Sequence, residues 1–246
     1  MVSPGKADLI LTNGKFHTVD RENPQAQAVA IRDGKILEAG SVAEVMQYHA
    51  EETKVIDLQG HTAIPGLNDS HLHLIRGGLN YNLELRWEGV PSLADALRML
   101  KEQALRTPSP QWVRVVGGWT EFQFAERRMP TLDEINEAAP DTPVFILHLY
   151  DRALLNRAAL KAVGYTRDTP NPPGGEIQRD NNGNPTGMLI ARPNAMILYS
   201  TLAKGPTLPL ELQVNSTRQF MRELNRLGLT SAIDAGGGFQ NYPEDY

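Results

Sequence analysis

Residues 64–73 read Ile64-Pro65-Gly66-Leu67-Asn68-Asp69-Ser70-His71-Leu72-His73. His71 and His73 are separated by one residue, so on a β-strand, where side chains repeat every second position, both imidazoles face the same way. Neutral imidazole nitrogens suit a borderline-soft divalent cation such as zinc. Two of them on one rigid strand end are preorganised, with little loop entropy to lose. Pro65 fixes its own φ and Gly66 is permissive, a pair that lets the chain leave one domain abruptly and enter another. His71 and His73 are therefore candidate metal ligands, and Asp69 is placed to orient one of them from behind.

Upstream of this stretch, short strands alternate with turn signals. Asp8 to Thr12 and Lys15 to Val19 flank Asn13-Gly14, and Ala26 to Arg32 and Lys35 to Ala39 flank Asp33-Gly34. Both dipeptides favour tight turns, so two hairpins are expected. Ser41 with Glu44 three residues on makes a capping box for a short helix carrying Val42, Val45 and Met46, and Val55 to Leu58 returns as strand.

Downstream, Leu93, Leu97, Leu100 and Ala104 fall on one face of a helix from Ser92 to about Thr107. Strands are expected at Trp112 to Val116 and Val144 to Leu149, and a helix near Arg152 to Val163. Glu176 to Arg179 and Thr186 to Leu189 flank Asn182-Gly183 as a hairpin. Phe220, Leu224 and Leu227 sit at i, i+4 and i+7, a buried helical stripe that Gly228 is placed to end, and Thr230 to Asp234 follows as strand.

The 246 residues, 41% hydrophobic, can bury a sizeable core. The formal charge of −5 comes from 24 basic and 29 acidic residues without long runs, which leaves no footprint for nucleic acid or an anionic membrane. There is no cysteine, hence no disulfide framework or thiolate metal site, which fits a reducing cytosol. The opening Met-Val-Ser-Pro-Gly-Lys lacks the apolar core of a secretory leader, so a cytoplasmic protein is expected. No nucleophile elbow, P-loop or dinucleotide fingerprint is present.

Pro65, Gly66, Asp69, His71 and His73 fill every fixed position of P-G-x-x-D-x-H-x-H, and the chain thereby resembles the amidohydrolase superfamily at its first barrel strand. The opening A-D-L-I-L-T-N-G-K-F, G-G-W at 117–119, P-P-G-G-E-I-Q-R-D-N-N-G-N-P-T-G at 172–187 and G-L-T-S-A-I-D-A-G at 228–236 resemble its type-3 branch, which includes N-substituted formamide deformylases. The resemblance implies an α/β fold, the N-terminal part of a metal-dependent-hydrolase TIM barrel with a small β-sandwich domain and a large α+β insertion. Residues 1–64 would be the N-terminal half of the sandwich and 65–76 the first barrel strand with its metal motif. Residues 77–210 would be the inserted subdomain, over the barrel mouth, and 211–246 a barrel helix and second strand.

In such enzymes a metal-activated water attacks a carbonyl, so the implied function is hydrolysis of a non-peptide C–N bond in a small amide, formamide or cyclic amide, with one or two divalent ions, zinc foremost. The further ligands come from later barrel strands in the family. Two histidines are short of the three protein ligands of a catalytic zinc, so this chain is expected to be an inactive N-terminal portion of a longer hydrolase. The alternatives are a metal-dependent deaminase on the same scaffold, or a non-catalytic short homologue acting as a binding or assembly module, with a homo-oligomer or a missing C-terminal segment covering its open edges. No catalytic residue is assigned.

Two substrate contacts carry over from the family. Trp119 of G-G-W matches a tryptophan near the active-site opening and serves equally as a core residue. Asp151 stands where the branch usually has a histidine, five residues before the asparagine matched by Asn156; it contacts substrate or caps the following helix. His17, His49 and His61 read as surface residues, His148 as a hydrogen-bonded buried histidine, and Asp234 as a loop-anchoring carboxylate.

Overall fold

A computed structural model of the chain describes residues 5–236, so the leader reading at Met1 to Pro4 lies outside the described residues. The fold is mixed α/β and divides into two units. One holds the described residues up to Asp69 with Gly228–Ser231; the other holds Ser70–Leu227 and the described residues from Ala232.

The first unit begins with β1 (Leu9–Thr12), β2 (Lys15–His17), β3 (Gln25–Ala26), β4 (Ala28–Arg32) and β5 (Lys35–Gly40). It continues with α1 (Val42–Val45), β6 (Lys54–Asp57) and β7 (Thr62–Ala63). The Asp33-Gly34 hairpin forms as expected: β4 and β5 pair antiparallel, and both turn residues adopt the positive φ of a tight hairpin, 50° and 70°. The hairpin expected at Asn13-Gly14 does not form. β1 pairs with β4 and, in parallel, with β6, whereas β2 belongs to a second sheet ordered β3-β2-β7. The local signal was a real turn, with Asn13 at φ 53°, but the strands on either side of it join different sheets. Phe16 and Ala26 of the second sheet cluster with Val29 of the first, and Ile10, Ala28, Ala30 and Val45 form a second cluster. Ser41 and Glu44 close the capping box of α1.

The second unit follows β8 (Leu67–Leu72), in which the unit boundary falls. Its elements are α2 (Leu74–Gly78), β9 (Glu84–Leu85), α3 (Leu93–Arg106), β10 (Val113–Val115) and α4 (Leu132–Ala138). Next come β11 (Val144–His148), β12 (Arg152–Leu155), α5 (Arg157–Val163), β13 (Gly175–Arg179), β14 (Pro185–Ala191) and α6 (Met196–Leu202). Last are α7 (Leu210–Arg226) and β15 (Leu229–Asp234). Among the described residues a six-stranded sheet runs β13-β14-β12-β11-β10-β9. Every residue of β11 is buried because both sheet faces are covered. Alternation sends Val144 and Ile146 to a core with α3 and α4, and Phe145 and Leu147 to a core with α5 and α6.

Two expectations fail here. Arg152 to Leu155 is strand, paired antiparallel with β11, and only Arg157–Val163 is helix. Ala153, Leu154 and Leu155 are buried on alternating sides of a central strand, a continuous apolar run that periodicity cannot tell from a buried helix. The stripe on α7 is also not buried. Ser216 is the buried residue of that helix, Phe220 and Leu224 are half-buried, and Leu227 is 56% exposed. α7 meets α2 closely through Ser216, whose hydroxyl donates to the Gly78 carbonyl at 2.7 Å, and past the end of α2 Phe220 lies on Tyr81. Gly228, at φ 90°, ends the helix as expected. The hairpin around Asn182-Gly183 forms as β13 and β14.

β8 and β15 form a two-stranded sheet. The Leu67 amide donates to the Gly228 carbonyl and the Ala235 amide to the Leu72 carbonyl, so the strands run parallel, with their C-terminal ends side by side. This pair is what the described residues hold of the implied barrel.

Candidate metal centre

His71 is near the end of β8, and His73, one residue past it, is the N-cap of α2. Their rings lie edge to face with centroids 5.3 Å apart, so the two imidazoles stand together as the spacing predicts. His73 Nδ1 lies 2.5 Å from the Gly236 carbonyl oxygen. A carbonyl only accepts, so Nδ1 carries the proton and the Nε2 lone pair is free for a cation. β15 supplies the supporting carboxylate: Asp234 accepts from the Ile75 amide at 2.8 Å and the Gly236 amide at 2.7 Å. It thereby fixes the first turn of α2 and the segment that holds His73, the anchoring role read for it in the sequence. Asp69 is half-buried on β8, two residues before His71.

A fixed tautomer and two adjacent imidazoles are donor chemistry that fits a divalent cation such as zinc. Among the described residues no third histidine or carboxylate completes a cluster of three with them.

Both histidines line a cavity of about 510 Å³ within the second unit. Its floor comes from the sheet face carrying Leu147. On that face Glu84 and Arg114 are register partners on neighbouring parallel strands. Burial pushes the Glu84 carboxyl up to about 6, against the pull of Arg86, which it meets at 2.6 Å, and of Arg114. Burial likewise pushes the Arg114 guanidinium down. On the wall, Arg76 lies over the Tyr199 ring at 5.3 Å and Tyr150 stands 6.2 Å from the same ring. Burial, then the neighbouring Tyr150, pushes Tyr199 up to about 12, so it stays a neutral phenol.

Trp119 and Asp151 are not brought to this cavity. Trp119 is fully buried on the opposite sheet face, in edge contact with Trp87 and stacked near Phe124, and its indole N–H donates to the Leu147 carbonyl. Asp151 does not cap α5; Asn156 does, accepting from the Ala159 amide. Asp151 instead pairs with Arg152 at 2.9 Å and with His148 Nδ1 at 3.1 Å. His148 is 4% exposed, and its Nε2 meets Glu121 at 2.7 Å, so it is the hydrogen-bonded buried histidine expected. His17, His49 and His61 are exposed.

Arg114, Glu84 and Arg76 were missed in the sequence. The available signal was a lone charge at the centre of the apolar strand Trp112-Val113-Arg114-Val115-Val116, where a buried cation needs a reason.

Comparison with known proteins accords with this geometry. Residues 54–246 match the model of the amidohydrolase family. The chain is 34% identical over 95% of its length to Protein LONG AFTER FAR-RED 3 of Arabidopsis thaliana, and 35% identical over 74% to N-substituted formamide deformylase of Arthrobacter pascens. It spans 39% and 34% of those two proteins. An uncharacterized metal-dependent hydrolase from Pyrococcus horikoshii superposes with a TM-score of 0.58 at 22% identity, over 91% of this chain and 42% of the other, a likeness of fold. With most of its length matched, the chain belongs to the amidohydrolase family.

Proposed function

We propose that the chain carries part of the active site of a metal-dependent hydrolase that cleaves a non-peptide C–N bond in a small amide, formamide or cyclic amide. The observation that carries this reading is the pair His71 and His73, side by side in the lining of one cavity, with His73 Nδ1 on the Gly236 carbonyl. The name of the Arthrobacter pascens relative supports the formamide class. His71 and His73 would hold the ion through ring nitrogens, and Asp69 and Asp234 would steady them from behind. A divalent ion there supplies Lewis acidity toward a carbonyl and lowers the pKa of water.

The protein's own groups do the rest. Asp234 holds the β15 end and the α2 turn, so the imidazoles are fixed before substrate arrives. Leu147 and Val116 take the apolar part of a substrate and exclude water from it. Tyr199, a neutral phenol hydrogen-bonded to Tyr150, gives the wall a polar group without a charge. Two imidazoles are one ligand short of a catalytic zinc site, so the 246-residue chain by itself is inactive.

The test uses the product of the complete gene. Loaded with zinc, it should release amine from N-alkyl formamides, lose that activity to a chelator, regain it with zinc, and lose it in H71A and H73A. Hydrolysis that survives metal removal or either substitution would overturn the reading. Ammonia released from an amine-bearing ring, with formamides untouched, would make it a deaminase.

A further inference from the structure

We propose that Arg114, with Arg76, forms a subsite for a carboxylate carried by the substrate. The proposal rests on the reading of this cavity as the substrate site.

Arg114 is 7% exposed and lines the cavity. One guanidinium nitrogen, Nη2, donates to the Pro206 carbonyl at 3.2 Å, while Nε is buried with no hydrogen-bond partner. Neither Arg114 nor Arg76 forms an ion pair among the described residues, and the nearby Glu84 is already engaged by Arg86. Glu84 beside it is engaged by Arg86 and makes no ion pair with Arg114, so this nearly buried guanidinium keeps an orphan N–H, which is costly, and a fold that holds it on the wall of an open cavity gains if a ligand brings it an acceptor. A carboxylate does so with the fork geometry that a guanidinium matches.

The seat is built for this side chain. A Cβ at Gly205 would lie 3.2 Å from Arg114 Nη2 and 3.3 Å from the Trp112 ring, so glycine there leaves the guanidinium its room. Arg76 reaches the same cavity from α2, directly after the segment that carries the histidines. The two cations and the two imidazoles therefore share one cavity. A substrate bearing an amide-type bond and a carboxylate a short distance away would meet both.

Calorimetry on the 246-residue chain without metal would compare N-formylphenylalanine with N-formylphenylalaninamide, which share a skeleton and differ in charge. The acid should bind about tenfold more tightly, the yield of charge-assisted over neutral hydrogen bonds. R76Q should lower that ratio and R114M bring it close to one, with circular dichroism and urea midpoints reporting the fold. Equal affinities in the wild type, or a ratio unchanged in both variants, would overturn the subsite; where R114M does not fold, an unchanged ratio in R76Q overturns it. Zinc titration of the same samples separates the two readings. Zinc bound through His71 and His73 without an acid preference sinks the carboxylate subsite alone, and an acid preference without zinc sinks the metal reading alone.

Discussion

Asn156 is fully buried and spends its whole amide. Its oxygen accepts from the Val144 and Ala159 amides, each at 2.9 Å, and its nitrogen donates to the Ala139 and Thr142 carbonyls at 2.7 and 2.9 Å. The family match at this position is thus a structural joint between β11, α4 and α5 rather than a pointer to substrate. N156A should lower stability by about 3 kcal/mol or more, since several backbone groups lose buried partners together, and the shift in urea midpoint measures it. Gly66 is another residue whose reason differs from its sequence reading. It adopts no positive φ; a Cβ there would lie 2.7 Å from the Thr230 Cβ, so glycine is required for the close approach of β15. Glu84 makes a pH prediction. Its folded pKa of about 6 lies above the ordinary 4.5, so the folded state binds the proton more tightly and stability falls as pH rises through that window. Wild type should lose about 2 kcal/mol relative to E84Q between pH 4 and 7, following the 1.36 kcal/mol carried by each pKa unit. Parallel pH profiles of unfolding for the two proteins would contradict this.

At the scale of elements, strands with a local partner were legible and strands with distant ones were not. Asp33-Gly34 closes β4 on β5, and the same kind of dipeptide at Asn13-Gly14 only turns the chain toward another sheet. In the sequence β12 is indistinguishable from a helix because its buried run is continuous: Leu154 faces one core and Leu155 the other. The metal pair was legible because two histidines at spacing two need no long-range information. Arg114 was not, since its meaning depends on β9 bringing Glu84 beside it and on Pro206 and Gly205 arriving from far along the chain. The α2 turn offers an element-scale test. Asp234 is the side chain that accepts from its Ile75 amide, so D234A should cost about 1 kcal/mol, as loss of a helix-terminal acceptor does, and weaken zinc binding on the order of tenfold through loosened histidines. Unchanged zinc affinity in folded D234A would remove Asp234 from the site.

For the molecule as a whole, the described residues carry the parallel pair β8 and β15 where the family fold implies a barrel, and the chain spans between a third and two fifths of two curated relatives. In the α7 and β15 region Leu210, Leu212, Leu227 and Ile233 are 49–70% exposed. Apolar groups in such number along one helix and strand favour association. Sedimentation of the 246-residue chain should show concentration-dependent oligomers, reduced in a variant combining L212K and I233K; a monomer at all concentrations would contradict this.

The central claim is that His71 and His73 together bind a divalent metal. Zinc-edge X-ray absorption of the loaded chain tests it directly. The account predicts a shell of nitrogen neighbours at about 2.0–2.1 Å with imidazole scattering from two rings, falling to one ring in H71A and in H73A. A zinc environment identical in wild type and both variants would place the ion elsewhere and contradict the account.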